Sequence, residues 1–268
     1  MTGPAPSLPP TLAAVLAAQP ETDPASVRYY PVLVSTNDTA AELAALGAPD
    51  GSVVIAGRQT RGRGRRGREW HSPEGVGLYL SMILRGRQSP VITLLAGVAV
   101  AEAIRETTGV AVDVKWPNDL VAAPRSANSW RKVAGILTEA LPPGAGEGAI
   151  VGIGVNVGDT PFPSHLAGTA VALDQCVGTP VDQDALCAGL LARLARWRRR
   201  VATDGAAELL HRWRELSPSS LGAPVAWDDG AGATRRGITA GIDGAGALLV
   251  NVDGATERVV GGDLRWGG

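Results

Sequence analysis

Residues 57–70 read Gly57-Arg58-Gln59-Thr60-Arg61-Gly62-Arg63-Gly64-Arg65-Arg66-Gly67-Arg68-Glu69-Trp70, or GRQTRGRGRRGREW. Six arginines, at 58, 61, 63, 65, 66 and 68, are interleaved with glycines at 57, 62, 64 and 67. Guanidiniums are forked donors that match carboxylate and phosphate oxygens. Glycines let the backbone approach a ligand closely. Gly62, Gly64 and Gly67 also spell GxGxxG, the dinucleotide fingerprint, which requires a strand before it and a helix directly after. The strand-like run Ser52–Ala56 does precede it. On its C-terminal side stands REWHSPEG, broken by a proline and a glycine, and then a second strand-like run, Leu78–Leu84. The loop therefore joins strand to strand, and no helix N-terminus waits to receive a pyrophosphate. The bland reading is an exposed basic tract or an RNA-binding arginine–glycine segment. The strong apolar runs on both sides argue against a disordered tail.

Working outward, the 268-residue chain is 45% hydrophobic and 19% charged, enough for a large core domain and a smaller one. The net charge of −1 makes the arginine cluster local and disfavours a dedicated nucleic-acid binder. Two cysteines, Cys176 and Cys187, exclude a disulfide framework and a zinc spacing, and fit a reducing, cytoplasmic setting. Residues 1–20 lack the basic and apolar regions of a signal peptide. No apolar run is long enough to cross a membrane.

Met1–Pro24 reads as a loose arm with a short helix at Thr11–Ala18. Arg28–Val34 is an edge strand, because a proline interrupts it. Ser35, Thr36 and Asn37 come next, each able to cap a helix Asp38–Leu46 that Gly47 ends, or to present polar groups to a ligand at a strand-to-helix junction. Gln59 ends the Ser52 strand. Pro90–Thr107 is a helix with Val91, Leu94, Leu95 and Val98 on one face. Val112–Trp116 is a short strand stopped by Pro117. Asn118 and Asp119 sit in the turn beyond it, where they are either turn chemistry or, with Lys115, a phosphate binder beside a magnesium ligand. A polar loop, 122–131, leads to the strand Lys132–Ala140. Ala149–Val157 is a buried strand in which Asn156 needs partners. Asp184–Val201 is a helix with an apolar stripe and a solvated face of Arg193, Arg196 and Arg198–Arg200. Ala206–Leu216 is a further helix, Ser217–Gly222 a linker, and the short β-runs after it a small barrel or sandwich.

In this order and spacing, STN at 35–37, GRGRRGREW at 62–70, KWPND at 115–119, KVAGIL at 132–137, GIGVNV at 152–157 and a C-terminal GID…GALLV…GD resemble a biotin–protein ligase over roughly residues 30–266. The resemblance implies an α+β fold. Its catalytic domain is a mixed β-sheet backed by helices, of the class II aminoacyl-tRNA synthetase-like or biotin–lipoate ligase kind, followed by a small SH3-like β-barrel. It implies an arm at 1–27, a catalytic domain at 28–217 and a C-terminal domain at 218–268. It further implies the type without an N-terminal DNA-binding domain, and a monomer or weak homodimer. The loop at 122–131 is longer than the family pattern.

The implied chemistry is activation of biotin by ATP, with Mg2+, to biotinyl-5′-AMP. Biotin then passes to a lysine of a biotin carboxyl carrier domain of an acyl-CoA or pyruvate carboxylase. Carried over by motif, Ser35, Thr36, Asn37 and Gln59 bind the biotin head group. Arg63, Gly64 and Arg65 line biotin and the adenylate, and Lys132 bridges the carboxylate and the α-phosphate. Arg66, Arg68, Lys115, Asn118 and Asp119 lie on the nucleotide side, Asp119 being also the metal ligand. Trp70 stacks near adenine and Asn156 bonds it. Lys132, Arg65 and Asp119 form the catalytic set. A lipoate–protein ligase and a nucleic-acid-binding protein using the arginine tract are the alternatives.

Overall fold

The computed structural model describes residues 8–19, 23–126, 129–228, 233–262 and 264–267. In chain order the elements are α1 (Pro10–Ala17), β1 (Val27–Leu33), α2 (Thr36–Ala45), β2 (Val53–Gln59), β3 (Gly62–Arg63), β4 (Glu69–Trp70), β5 (Gly77–Arg85) and α3 (Ile92–Thr108). Then come β6 (Asp113–Lys115), β7 (Asp119–Ala122), β8 (Arg131–Ala140), β9 (Gly148–Asn156), α4 (Leu173–Val177), α5 (Gln183–Asp204) and α6 (Ala207–Glu215). The last five strands are β10 (Leu221–Asp228), β11 (Thr234–Ile242), β12 (Leu248–Val252), β13 (Ala255–Val259) and β14 (Arg265–Trp266).

Seven strands form a mixed sheet in the order β1-β2-β5-β9-β8-β7-β6. β1 pairs parallel to β2 at one edge, where Pro31 costs no ladder hydrogen bond to a second neighbour. The other neighbours are antiparallel. Side chains alternate between the two faces, as the period of a strand requires. Val53, Ile55, Leu80, Met82, Leu84, Ile153 and Val155 share one core with α1, α3, α5 and α6, whereas Val54, Ile83 and Ile150 pack with Ala40, Leu43 and Ala44 of α2 in another. Helices therefore crowd one face, and α2 covers only part of the other. Arg85 fastens α2 by donating to the carbonyls of Ala44, Ala48 and Ala145.

The C-terminal strands form a separate antiparallel sheet, β13-β12-β11-β10-β14. The α+β class and the small C-terminal β-unit are as expected. Among the described residues its order runs from β13 at one end to β14 at the other. No helix among the described residues is long and apolar enough to cross a membrane.

Four expectations are corrected. Residues 10–17 are not a loose arm: Leu12 and Leu16 are buried in the main core, and α1 packs on α5. Helix α2 begins at Thr36, two residues early. Ser35 takes the N-cap position but makes no side-chain cap bond, and Thr36 and Asn37 sit inside the first turn. Residues 217–222 are no free linker, since Ser217 and Ser220 are buried and the Ser217 hydroxyl donates to the Val114 carbonyl at 2.6 Å. The arginines of α5 are not simply a solvated face. Arg193 pairs with Glu106, Arg196 with Glu102, Arg198 with Asp50 and Arg200 with Glu208. A helical wheel cannot anticipate these pairs, because each carboxylate lies on another segment. Part of the polar loop 122–131 and Asp263 of the last motif lie outside the described residues.

Glu102 of α3 is the hub of that packing. Its side chain is only 12% exposed and accepts from Arg196, Trp197 and Arg212 at 2.8–3.0 Å. Glu102→Ala strands three donors between α3, α5 and α6. It is expected to destabilise the fold by about 2–3 kcal/mol, read as a lowered denaturation midpoint with an unchanged slope.

Candidate active site

On the face that α2 leaves open, the sheet has no side chains where it most needs room. Gly152 and Gly154 of β9 share parity on that face, opposite Val151, Ile153 and Val155, which enter the main core. A Cβ at Gly152 would lie 2.2 Å from Asn37 Oδ1. One at Gly154 would lie 2.4 Å from Trp70 Nε1, and one at Gly135 of β8 would lie 3.0 Å from both Lys132 and Trp70. No Cβ approaches so closely without displacing its neighbour. These glycines are the floor on which the Trp70 indole and the Asn37 amide rest.

The arginine loop folds over this floor. As expected it joins strand to strand, β2 to β5, and it also carries its own two-stranded hairpin, Gly62↔Trp70 and Arg63↔Glu69. A tight 3₁₀ turn at residues 65–67 holds Arg66 in the left-handed region at φ 57°. The Gly64 amide donates to the Arg68 carbonyl at 2.7 Å, so the glycines serve the loop's own closure first. A cavity of about 50 Å³ lies between loop and floor.

At one end, the Gln59 Oε1 accepts from the Thr36 amide at 2.8 Å and from its hydroxyl at 3.1 Å, while Gln59 Nε2 donates to Ser72 at 2.9 Å. The Ser81 hydroxyl lies 2.6 Å from Asn37 Oδ1 and 2.8 Å from Thr36 Oγ1. At the other end, Arg65 donates to Asn118 Oδ1 at 2.8 Å and to the Gly262 carbonyl at 3.3 Å. Asn118 Nδ2 donates to the Ile136 carbonyl at 3.0 Å and to Asp119 at 3.1 Å. Lys132 Nζ lies 2.7 Å from Asp119 Oδ1 and 5.3 Å from the centre of the Trp70 ring. The buried Trp70 Nε1 has no hydrogen-bond partner among the described residues.

Strand parity alone would put Lys132 and Gly135, three residues apart, on opposite faces. The β7–β8 register shifts between Leu120 and Val121, and Val133 and Ala134 both enter the main core. This bulge turns Lys132 onto the cavity face, the re-aiming for which bulges are used next to active sites.

Ser35, Thr36, Asn37, Gln59, Arg63, Gly64, Arg65, Trp70, Asn118 and Lys132 all line the one cavity. Asp119 stands behind Lys132. Arg66 and Arg68 are on the exposed side of the loop, and Arg66 lines a second, wider groove toward the C-terminal sheet. Lys115 does not line the cavity; its Nζ lies 5.4 Å from the Trp266 ring centre. Asn156 also stands outside the lining, donating to the carbonyls of Lys132 and Val171 at 3.3 Å. Sequence reading missed Ser72, Ser81 and Glu139, which hold the lining side chains. Glycines at alternate positions, GIGVNV, were the available signal for the floor. Burial pushes the Cys176 thiol up to about 11 and Cys187 up to about 12, so neither is a thiolate nucleophile at neutral pH.

No three of His, Cys, Asp and Glu cluster as a metal site among the described residues. A hard divalent cation could still be held by Asp119 together with substrate phosphate oxygens, the common arrangement for Mg2+.

The fold and site are thus a mixed sheet with a small cavity lined by Arg63, Arg65 and Lys132. The biotin/lipoate A/B protein ligase family model matches residues 29–156. The bifunctional ligase/repressor BirA of Bacillus subtilis is 35% identical over 246 residues, spanning 89% of this chain and 73% of that protein. The biotin–[acetyl-CoA-carboxylase] ligase of Paracoccus denitrificans is 32% identical across 87% of this chain and 98% of its own length. A structure of Aquifex aeolicus biotin protein ligase in complex with biotin and ATP superposes with a TM-score of 0.78 at 26% identity, covering 90% and 99% of the two chains. The chain belongs to the biotin–protein ligases of this family.

If the floor is as tight as these contacts indicate, Gly154→Ala displaces the Trp70 indole without unfolding the sheet. Near-ultraviolet circular dichroism is expected to change while the far-ultraviolet spectrum does not. An unchanged near-ultraviolet spectrum would refute the contact.

Proposed function

We propose that this chain activates biotin with ATP and transfers it to a lysine of a biotin carboxyl carrier domain of a biotin-dependent carboxylase. The observation that supports this reading best is convergence: Thr36, Asn37 and Gln59 at one end of a single cavity, Arg65, Asn118 and Lys132 at the other, and Trp70 between. The polar end suits a compact hydrogen-bonding head group. Ser35, Thr36, Asn37 and Gln59 take that role, with Arg63 and Gly64 closing the loop over it.

The cationic end suits the reacting groups. A biotin carboxylate oxygen attacks the α-phosphorus of ATP, the bond to the bridging oxygen of the β-phosphate breaks, and pyrophosphate leaves with that electron pair. Two anions must meet, so fixed positive charge lowers the barrier by offsetting their repulsion. Lys132 sits between the carboxylate and the α-phosphate, and Arg65 clamps the adenylate. Arg66, Arg68 and Asn118 face the remaining phosphates and ribose, and Trp70 flanks adenine; Lys115 and Asn156, which stand outside the cavity lining, act only through the segments they hold. Asp119 would hold Mg2+, which supplies countercharge to the triphosphate. In the second half-reaction, the amine of the carrier lysine attacks the acyl carbon. The acyl–oxygen bond breaks, AMP leaves, and the amine proton passes to solvent or the leaving phosphate. Holding the reactants together contributes as much as charge, so no covalent enzyme intermediate is needed.

Lys132→Ala is expected to leave the fold intact and slow biotin-dependent ATP–pyrophosphate exchange by about 10²-fold or more. Near-normal exchange by a folded Lys132→Ala protein would remove Lys132 from this role. Exchange supported by lipoate and not by biotin would favour a lipoate–protein ligase instead.

Arg65→Gly removes the clamp on Asn118 and the Gly262 carbonyl. The adenylate is expected to escape and label lysines of a bystander protein, scored by blotting for biotin. Bystander labelling at the wild-type level, with adenylate still forming, would show that Arg65 does not retain it.

A further inference from the structure

Among the described residues the β3–β4 hairpin pairs only with itself, so no strand ladder ties it to the main sheet. Backbone bonds hold its ends, from the Thr60 and Arg61 amides to the Leu33 and Val34 carbonyls and from the Gln59 amide to the Ser72 carbonyl; farther out, side chains hold it. One of them belongs to none of the sequence motifs that mark the cavity. Glu139 lies near the end of β8 and has the same parity as Gly135, on the cavity face.

Both oxygens of Glu139 are engaged. Oε1 accepts from Arg63 Nη1 at 3.0 Å and Oε2 accepts from Arg63 Nη2 at 2.6 Å, a two-point fork. Oε2 also accepts from Asn37 Nδ2 at 2.6 Å. Asn37 is thereby held at both ends of its amide, since its Oδ1 faces Ser81 at 2.6 Å and sits over Gly152. Asp38 adds a single contact to Arg63 Nη2 at 3.0 Å and has no such bond to Asn37.

One carboxylate thus sets the position of two cavity-lining side chains from different elements, Asn37 of α2 and Arg63 of the loop. A forked guanidinium–carboxylate pair fixes orientation as well as distance. Held by Ser81 at Oδ1 and by Glu139 at Nδ2, Asn37 cannot flip its amide.

We propose that Glu139 is a positioning residue for the head-group end of the cavity, latching the arginine loop and orienting Asn37. This rests on the ligase reading. Glu139 touches neither substrate nor reacting atoms; it acts through Arg63 and Asn37. Its neutral isostere, Gln, keeps one acceptor oxygen and turns the other into a donor. Three donated hydrogen bonds cannot then all be met, so either the Arg63 fork or the Asn37 bond is lost.

The test is biotin-dependent ATP–pyrophosphate exchange by the full chain, with biotin and ATP varied separately. Wild-type protein is measured first, and absence of biotin-dependent exchange there refutes the ligase reading itself. Given wild-type activity, Glu139→Gln is expected to raise the KM for biotin about tenfold or more, with the KM for ATP and the melting midpoint little changed. Hydrogen exchange across residues 60–70 is expected to quicken. Asp38→Asn, which breaks only the single contact, is expected to raise the KM for biotin much less. An unchanged KM for biotin in folded Glu139→Gln protein would overturn the proposal. So would a parallel loss in both KM values and kcat with a lowered melting midpoint, which marks a merely structural role. If Glu139→Gln does not fold, Arg63→Gln keeps the question open to measurement: the same selective rise in the KM for biotin is required, and its absence rejects the latch.

Discussion

Six like charges within eleven residues repel one another, and a loop built from them stays folded only where the rest of the chain supplies acceptors. That constraint organises this molecule. Arg63 is held by Glu139 and Asp38, and Arg65 by Asn118 and the carbonyl of Gly262. These partners come from β8, α2, the β6–β7 turn and the C-terminal segment. The loop closes over the sheet because distant parts of the chain meet around it. The same contacts leave the cavity beneath it lined by cations and amides.

The second condition is room. A roof of guanidiniums and an indole can lie on a sheet only if the sheet lacks side chains there. Gly135, Gly152 and Gly154 provide that space, at the cost of apolar burial on one face of β8 and β9. The other face compensates with the continuous core of α3, α5 and α6. Polar partners at Ser72 and Ser81 then satisfy the amides and hydroxyls that the cavity turns inward. Such groups are costly to bury alone and give definite geometry when paired.

The C-terminal strands are part of this construction rather than an appendage. Trp116 Nε1 donates to the Gly246 carbonyl at 2.9 Å, Lys115 lies over Trp266, and Gly262 accepts from Arg65. The turn at 217–220, with Ser217 and Ser220 buried, fixes where that second sheet begins relative to β6. The KWPND segment is therefore sandwiched, with its asparagine and aspartate on the cavity side and its lysine and tryptophan toward the second sheet. The second sheet thus meets the arginine loop and the KWPND segment beside the cavity.

Much of the fold was legible in the chain itself, because alternation and helical spacing are local. The edge strand with its proline, the apolar stripes of α3, α5 and α6, and the change to short β-runs after residue 220 all arise from patterns a few residues long. The motifs also pointed to Thr36, Asn37, Gln59, Arg63, Arg65, Trp70, Asn118 and Lys132, which do meet in one cavity. What the chain alone could not decide depends on residues far apart in sequence. Glu139 carries no motif and acquires its place only when β8 passes beneath both α2 and the loop. The arginines of α5 look solvated until α3 and α6 bring their carboxylates. Lys132 is the sharpest case: strand parity aims it away from Gly135, and a single bulge between β7 and β8 turns it back. Register and bulges are settled by pairing between strands, and no one strand contains that information.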